Sequence, residues 1–177
     1  MALSAQSRSA SQAAQVPPNL PPATKMEAFA PASGSVVTLG YDELGKFGGV
    51  SVDVREMHDT KGARVRGLLV EVTESDYRKE RSFVDADEIP ELLKGFDALL
   101  EVSANPTHFN SFEVRYKTRG DLQLTAFNTR GDQILYAVQT GRTLTAERVG
   151  LTAADMQKIR GLFEAASQKL NSLGSSK

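Results

Sequence analysis

The chain has 177 residues, 40% of them hydrophobic and 24% charged, with a formal net charge of −1 at pH 7. This is the composition of an ordinary soluble globular protein, and its charge balance supplies no overall field to recruit nucleic acid or an anionic membrane. The absence of cysteine excludes disulfides, thiol catalysis and thiolate metal sites, and no apolar run is long enough to span a bilayer as a helix.

Residues 1–34 read as a disordered tail rich in Ala, Ser, Gln and Pro, with proline pairs at Pro17–Pro18 and Pro21–Pro22. Met26 and Phe29 give its last part some capacity to dock, without regular structure. The start has no basic n-region and no apolar h-region, so it is not a complete signal peptide. The same composition suits the start of a mature exported protein. Exported (periplasmic or secreted) and cytoplasmic locations therefore both stay open.

The first strand is expected at Ser35–Tyr41, and the glycine-rich Gly45–Gly49 reads as a flexible approach to the second. In Val50–Met57, Val50, Val52 and Val54 alternate with Ser51, Asp53 and Arg55, the period-2 pattern of a half-buried strand. Asp59–Gly62 is a turn. Arg64–Thr73 and Tyr77–Val84 are the third and fourth strands. A helix follows at once: Asp85 is its N-cap, Glu88 the capping-box partner, and Ile89, Leu92, Leu93, Phe96, Leu99 and Leu100 its apolar stripe.

After a loop at 103–109, strands are expected at Phe112–Tyr116, Leu122–Phe127, Gln133–Gln139 and Thr143–Val149. The second helix starts at N-cap Thr152 with Asp155 as its partner. Met156, Ile159, Phe163, Ala166 and Leu170 line one face. The segment 84–99 lies without a gap on 151–166, matching Val84 to Leu151, Leu92 to Ile159 and Phe96 to Phe163. The same alignment runs back to Val65 and Asp132. The predicted fold is α+β: two antiparallel sheet–helix units in the order β4-α-β4-α. They make a single domain over 35–173, read as a duplication of 35–101 and 111–173.

Little in the sequence carries chemistry. The two histidines, His58 and His108, read as loop residues about fifty positions apart. No nucleophile elbow or phosphate-binding glycine loop is present. Asp85, Asp87 and Glu88 form the tightest acidic group, and capping accounts for it. No catalytic, cofactor-binding or metal-ligating residue is assigned, and no cofactor is expected. The Arg119-Gly120-Asp121 triplet reads as a hairpin turn. The second unit carries a modest basic excess: Arg115, Lys117, Arg119, Arg130, Arg142 and Arg148 against Glu113, Asp121, Asp132 and Glu147.

The segments FEVRYKTRGDLQLTAFN, VDADEIPELLKGFDALLEV and LYAVQTGRTLTAERVGLTAADMQKIRGLFEAA resemble a bacterial family with no assigned activity, over roughly 35–172. That resemblance implies no functional residues. The element order also resembles the Whirly family of single-stranded DNA-binding proteins. Those proteins carry a lysine-glycine-lysine-alanine motif in an early strand. The nearest stretch here, Lys61-Gly62-Ala63-Arg64, is a turn, and this departure counts against nucleic acid.

Two functions follow as expectations. The first is a non-enzymatic binding or structural domain that contacts a protein partner or itself. The second is sequence-tolerant single-stranded nucleic-acid binding through the second sheet. There Arg115, Lys117 and Arg119 would attract phosphate, and Phe127 or Tyr116 would stack a base.

Overall fold

A computed structural model describes residues 21–29, 34–75, 78–129, 133–141 and 147–175. Two four-stranded antiparallel sheets are each followed by a long helix. The first sheet holds β1 (Val37–Phe47), β2 (Val50–Asp59), β3 (Arg64–Ser75) and β4 (Arg78–Asp85), paired in chain order. A short helix α1 (Lys25–Ala28) precedes it. One 3-10 turn, 86–88, leads into α2 (Ile89–Leu100). The second sheet holds β5 (Glu113–Lys117), β6 (Gln123–Asn128), β7 (Ile134–Thr140) and β8 (Glu147–Leu151), again in chain order, and α3 (Ala153–Ser175) follows.

The alternation expected of β2 sets the inner face of the first sheet. Val52 pairs with Val70 and Val70 with Ser82; Val54 pairs with Leu68 and Leu68 with Val84. All six are buried. In the second sheet Leu124 pairs with Val138 and Val138 with Val149, while Ala126 pairs with Tyr136 and Tyr136 with Leu151. Both inner faces join one apolar cluster with Leu92 and Phe96 of α2 and Ile159 and Phe163 of α3.

Each helix covers the other unit's sheet. α2 lies against β5 and β6, and α3 lies chiefly against β1 and β2. The side chains are specific about it. A Cβ built on Gly95 of α2 would sit 2.6 Å from the Tyr116 ring of β5. Leu162 of α3 reaches to within 3.1 Å of a Cβ built on Gly45 in β1, and Lys169 of α3 pairs with Asp42 of β1 at 3.0 Å. Where the helices cross, the matched residues Phe96 and Phe163 meet with ring centroids 5.2 Å apart. Beside them Arg160 forks onto both carboxylate oxygens of Asp97, at 2.6 and 3.1 Å.

Four expectations need correction. First, the gap-free alignment of the two units holds only for the last strand and the helix. Val84 and Leu151 occupy matching places, but their neighbours are Leu68 and Tyr136, one residue off that alignment. Keeping it back into β3 would set inward Val70 on outward-facing Ala137, because one residue of slip turns a strand over. Second, Gly45–Gly49 is no flexible approach. β1 runs through Gly45, where the register shifts, to Phe47, and Gly48 and Gly49 close a two-residue hairpin with φ of +56° and +82°. Positive φ at both positions is what a type I′ turn demands, and glycine supplies it at least cost.

Third, part of the expected tail is built onto the domain. Thr24 and Glu27 form a capping box, and Met26 is buried beneath Gly67. Residues 1–20 and the proline pair Pro17–Pro18 lie outside the described residues, as do Tyr77, Arg130, Arg142 and the expected strand start Thr143. Fourth, His58 sits within β2, paired to Thr38 and Arg64, rather than in a turn. His108 is in the exposed loop before β5.

Candidate binding surfaces

The outer face of the second sheet is formed by the odd positions of β5 and β6. Glu113 is paired with Phe127, Arg115 with Thr125 and Lys117 with Gln123. Arg115, Lys117 and Phe127 therefore share one face. Each is already engaged there. Arg115 pairs with Glu113, which it holds below the ordinary glutamate range, and Glu113 in turn raises the arginine. Lys117 pairs with Asp121. Arg148 of β8 lies over the Phe127 ring, 5.0 Å from its centroid, a cation–π contact.

Tyr116 points the other way. Pleating carries it to the inner face, where its ring rests on Gly95 of α2. Burial is the main cause that raises its phenol, with Glu88 and Glu91 adding to it. It therefore packs the helix and does not line the face with Arg115 and Phe127.

Arg119 is off the sheet, in the turn that closes the β5–β6 hairpin. Its amide donates to Glu88 Oε1 at 2.8 Å, and its guanidinium lies 2.6 Å from Asp87 and 3.3 Å from Glu88. The next residue, Gly120, touches the backbone so closely that a Cβ would fall 1.9 Å from Phe83 O. Asp121 then takes φ of +66°, which aspartate tolerates better than most residues. The Arg-Gly-Asp triplet is a joint between the two units.

The acidic group belongs to the same joint. Asp85 and Glu88 form the expected capping box, with Glu88 Oε2 accepting from the Asp85 amide at 3.3 Å. The Asp85 carboxylate is almost fully buried and also accepts from the amides of Lys25 and Met26, at 2.8 and 3.1 Å. Lys25, then Arg119, holds Asp87 below the usual aspartate range. These three acids fasten α1 and the Arg119 turn to the start of α2. Among the described residues no group of His, Asp or Glu is arranged to hold a metal ion.

The surface that sequence reading missed is β1. From Thr38 to Glu43 all its residues are exposed, including Leu39 at 44% and Tyr41 at 66%. Both lie on the outer face, paired to Met57 and Arg55 of β2, and Arg55 stacks 5.7 Å from the Tyr41 ring centroid. On its other side β1 borders no strand among the described residues. The signal was available: Leu39 and Tyr41 alternate with polar or small residues on a strand read as ending at Tyr41. What hid it was the early end given to the strand. No protein-family profile matches the chain, and no curated protein is similar to it.

Proposed function

We propose that this chain is a non-enzymatic protein-binding module whose contact surface is the open edge of β1. One observation carries the reading: a long edge strand exposes Leu39 and Tyr41 with no lysine or proline between Val37 and Leu44. Natural sheets guard such edges with charge, proline, bulges or short length, because an unguarded edge pairs with another chain. The other three edges fit that rule. β4 carries Arg78, Lys79, Glu80 and Arg81 in succession, and β5 and β8 are five residues each. On β1 the carboxylates of Asp42 and Glu43, the bulge and Lys46 all lie in the second half, leaving residues 37–41 without a guard.

A second reading is single-stranded nucleic-acid binding on the second sheet, favoured by Arg115, Phe127 and Arg148 sharing one outer face. It must draw Arg115 and Lys117 away from the carboxylates of Glu113 and Asp121, in a chain with net charge −1.

The test compares the native chain with a Leu39→Lys, Tyr41→Lys double variant in a nuclease-treated pull-down from native extract. A labelled single-stranded oligonucleotide is titrated in parallel across salt. The expected result is protein retained after nuclease and lost with the double variant. Tight oligonucleotide binding that falls steeply with salt and weakens in Phe127→Ala would replace this reading with the second.

A further inference from the structure

We infer that the partner fitting the β1 edge is β1 of a second copy, running antiparallel about a two-fold axis through Gly40. This inference rests on the reading of β1 as a contact edge. Its first support is the phase of the ladder. Thr60 N donates to Val36 O at 3.2 Å, which makes Val36 and Thr60 a hydrogen-bonded pair. In an antiparallel ladder bonded and non-bonded pairs alternate. Thr38, Gly40 and Asp42 thus turn their amides and carbonyls towards β2. Val37, Leu39, Tyr41 and Glu43 turn theirs outward, away from β2. A two-fold axis at Gly40 brings Leu39 opposite the second copy's Tyr41 and Val37 opposite its Glu43, so that each outward group meets another outward group.

The second support is what the side chains meet. On the outer face Leu39 faces Tyr41 twice, covering both exposed apolar residues of the strand. On the inner face Thr38 faces Asp42 twice, hydroxyl against carboxylate. No like charges are opposed. Of the neighbouring registers, an axis at Tyr41 sets Leu39 against Glu43 and one at Asp42 opposes two carboxylates. An axis at Leu39 pairs Leu39 with itself and Tyr41 with Val37 but sets Asp42 against Val36; the Gly40 register sets Val37 against Glu43 and instead gives each Asp42 a hydroxyl. A strand whose exposed apolar residues meet one another and whose carboxylate meets a hydroxyl is suited to a copy of itself, as an isologous interface requires. The pairing would join two four-stranded sheets into one of eight strands.

Gly40 supplies a register-specific probe. A Cβ there meets nothing within 4 Å, and the chain has no other cysteine. At the axis Gly40 would form a non-hydrogen-bonded pair with itself, about 4.5 Å between Cα atoms, within the span a disulfide bridges. The experiment is sedimentation of the full chain over a concentration series, with Gly40→Cys, Thr38→Cys and Asp42→Cys oxidised mildly. A dimer is expected. Gly40→Cys alone should cross-link, Thr38→Cys alone should not, and Thr38→Cys mixed with Asp42→Cys should. Tyr41→Lys should keep its circular dichroism and raise the dimer dissociation constant about tenfold or more.

A dimer unaffected by Tyr41→Lys, or cross-linked at Thr38 instead of Gly40, overturns the inference. So does a chain that stays monomeric without Gly40 cross-linking. If that monomer still loses its captured protein in the Leu39→Lys, Tyr41→Lys variant, only the second copy is ruled out. If its capture is unchanged, strand addition at β1 falls as well.

Discussion

Phe96 and Phe163, matched positions of the two halves, lie against each other with their rings tilted by 44°. The two helices cross within the shared core, and both rings are completely buried there.

Truncating either ring opens a cavity at that crossing. Phe96→Ala and Phe163→Ala are each expected to lose about 3–5 kcal/mol in urea unfolding. The double variant should lose less than the sum, since the second truncation enlarges a cavity already present.

Gly95→Ala tests the close approach of α2 to β5. Alanine favours a helix over glycine by about 1 kcal/mol. Here its Cβ would overlap the Tyr116 ring, and overpacking of this kind costs about 1–3 kcal/mol. A net fall in thermal stability is expected, and Tyr116→Val in the same chain should restore part of it.

The crossed helices make the halves interdependent. Fragments 21–101 and 102–177, produced separately, should each lack a cooperative unfolding transition, because neither sheet has its own helix as cover. Mixed together they should regain the circular dichroism and amide spectrum of the intact chain. A cooperative transition in either fragment alone would contradict the packing described.

Acid should weaken the fold through identifiable pairs. Arg66 holds the Glu56 carboxyl down, and Arg160 does the same to Asp97. A carboxyl lowered by folding contributes stability above its unfolded value, about 4, and loses it as pH falls through the lower folded value. Urea midpoints should therefore drop from pH 5 towards pH 3. Asp97→Asn should be less stable at neutral pH and flatter across that range. Added salt should shrink the difference in part, since the pair is only partly buried.

Element order, both long helices and the inward valines were legible from the sequence because periodicity and capping are local signals. Thr152 and Asp155 close their box as read, at 3.1 and 3.2 Å. The docking of α1 was readable too, in Thr24-Lys25-Met26-Glu27, but proline-rich neighbours outweighed it. Long-range facts were not legible. Nothing in the spacing of Tyr116 told that its partner would be a glycine on the other unit's helix. Nor did Arg119 announce that its charge would be spent on Asp87. Arg115 and Phe127, grouped from sequence, share one face; the acids Glu113 and Asp121 were counted against the cations, but not that each pairs directly with one of them.

The exchange of helices also sets when this chain can fold during its own synthesis. The strands of the first sheet leave the ribosome before the second sheet, yet the helix that covers Val50, Val52 and Val54 is made only after both sheets. Until α3 emerges, the nascent chain carries a finished strand pattern with an open apolar face. That face must stay apart from its neighbours until α3 emerges, and a premature stop anywhere before α3 would release a product unable to hide it.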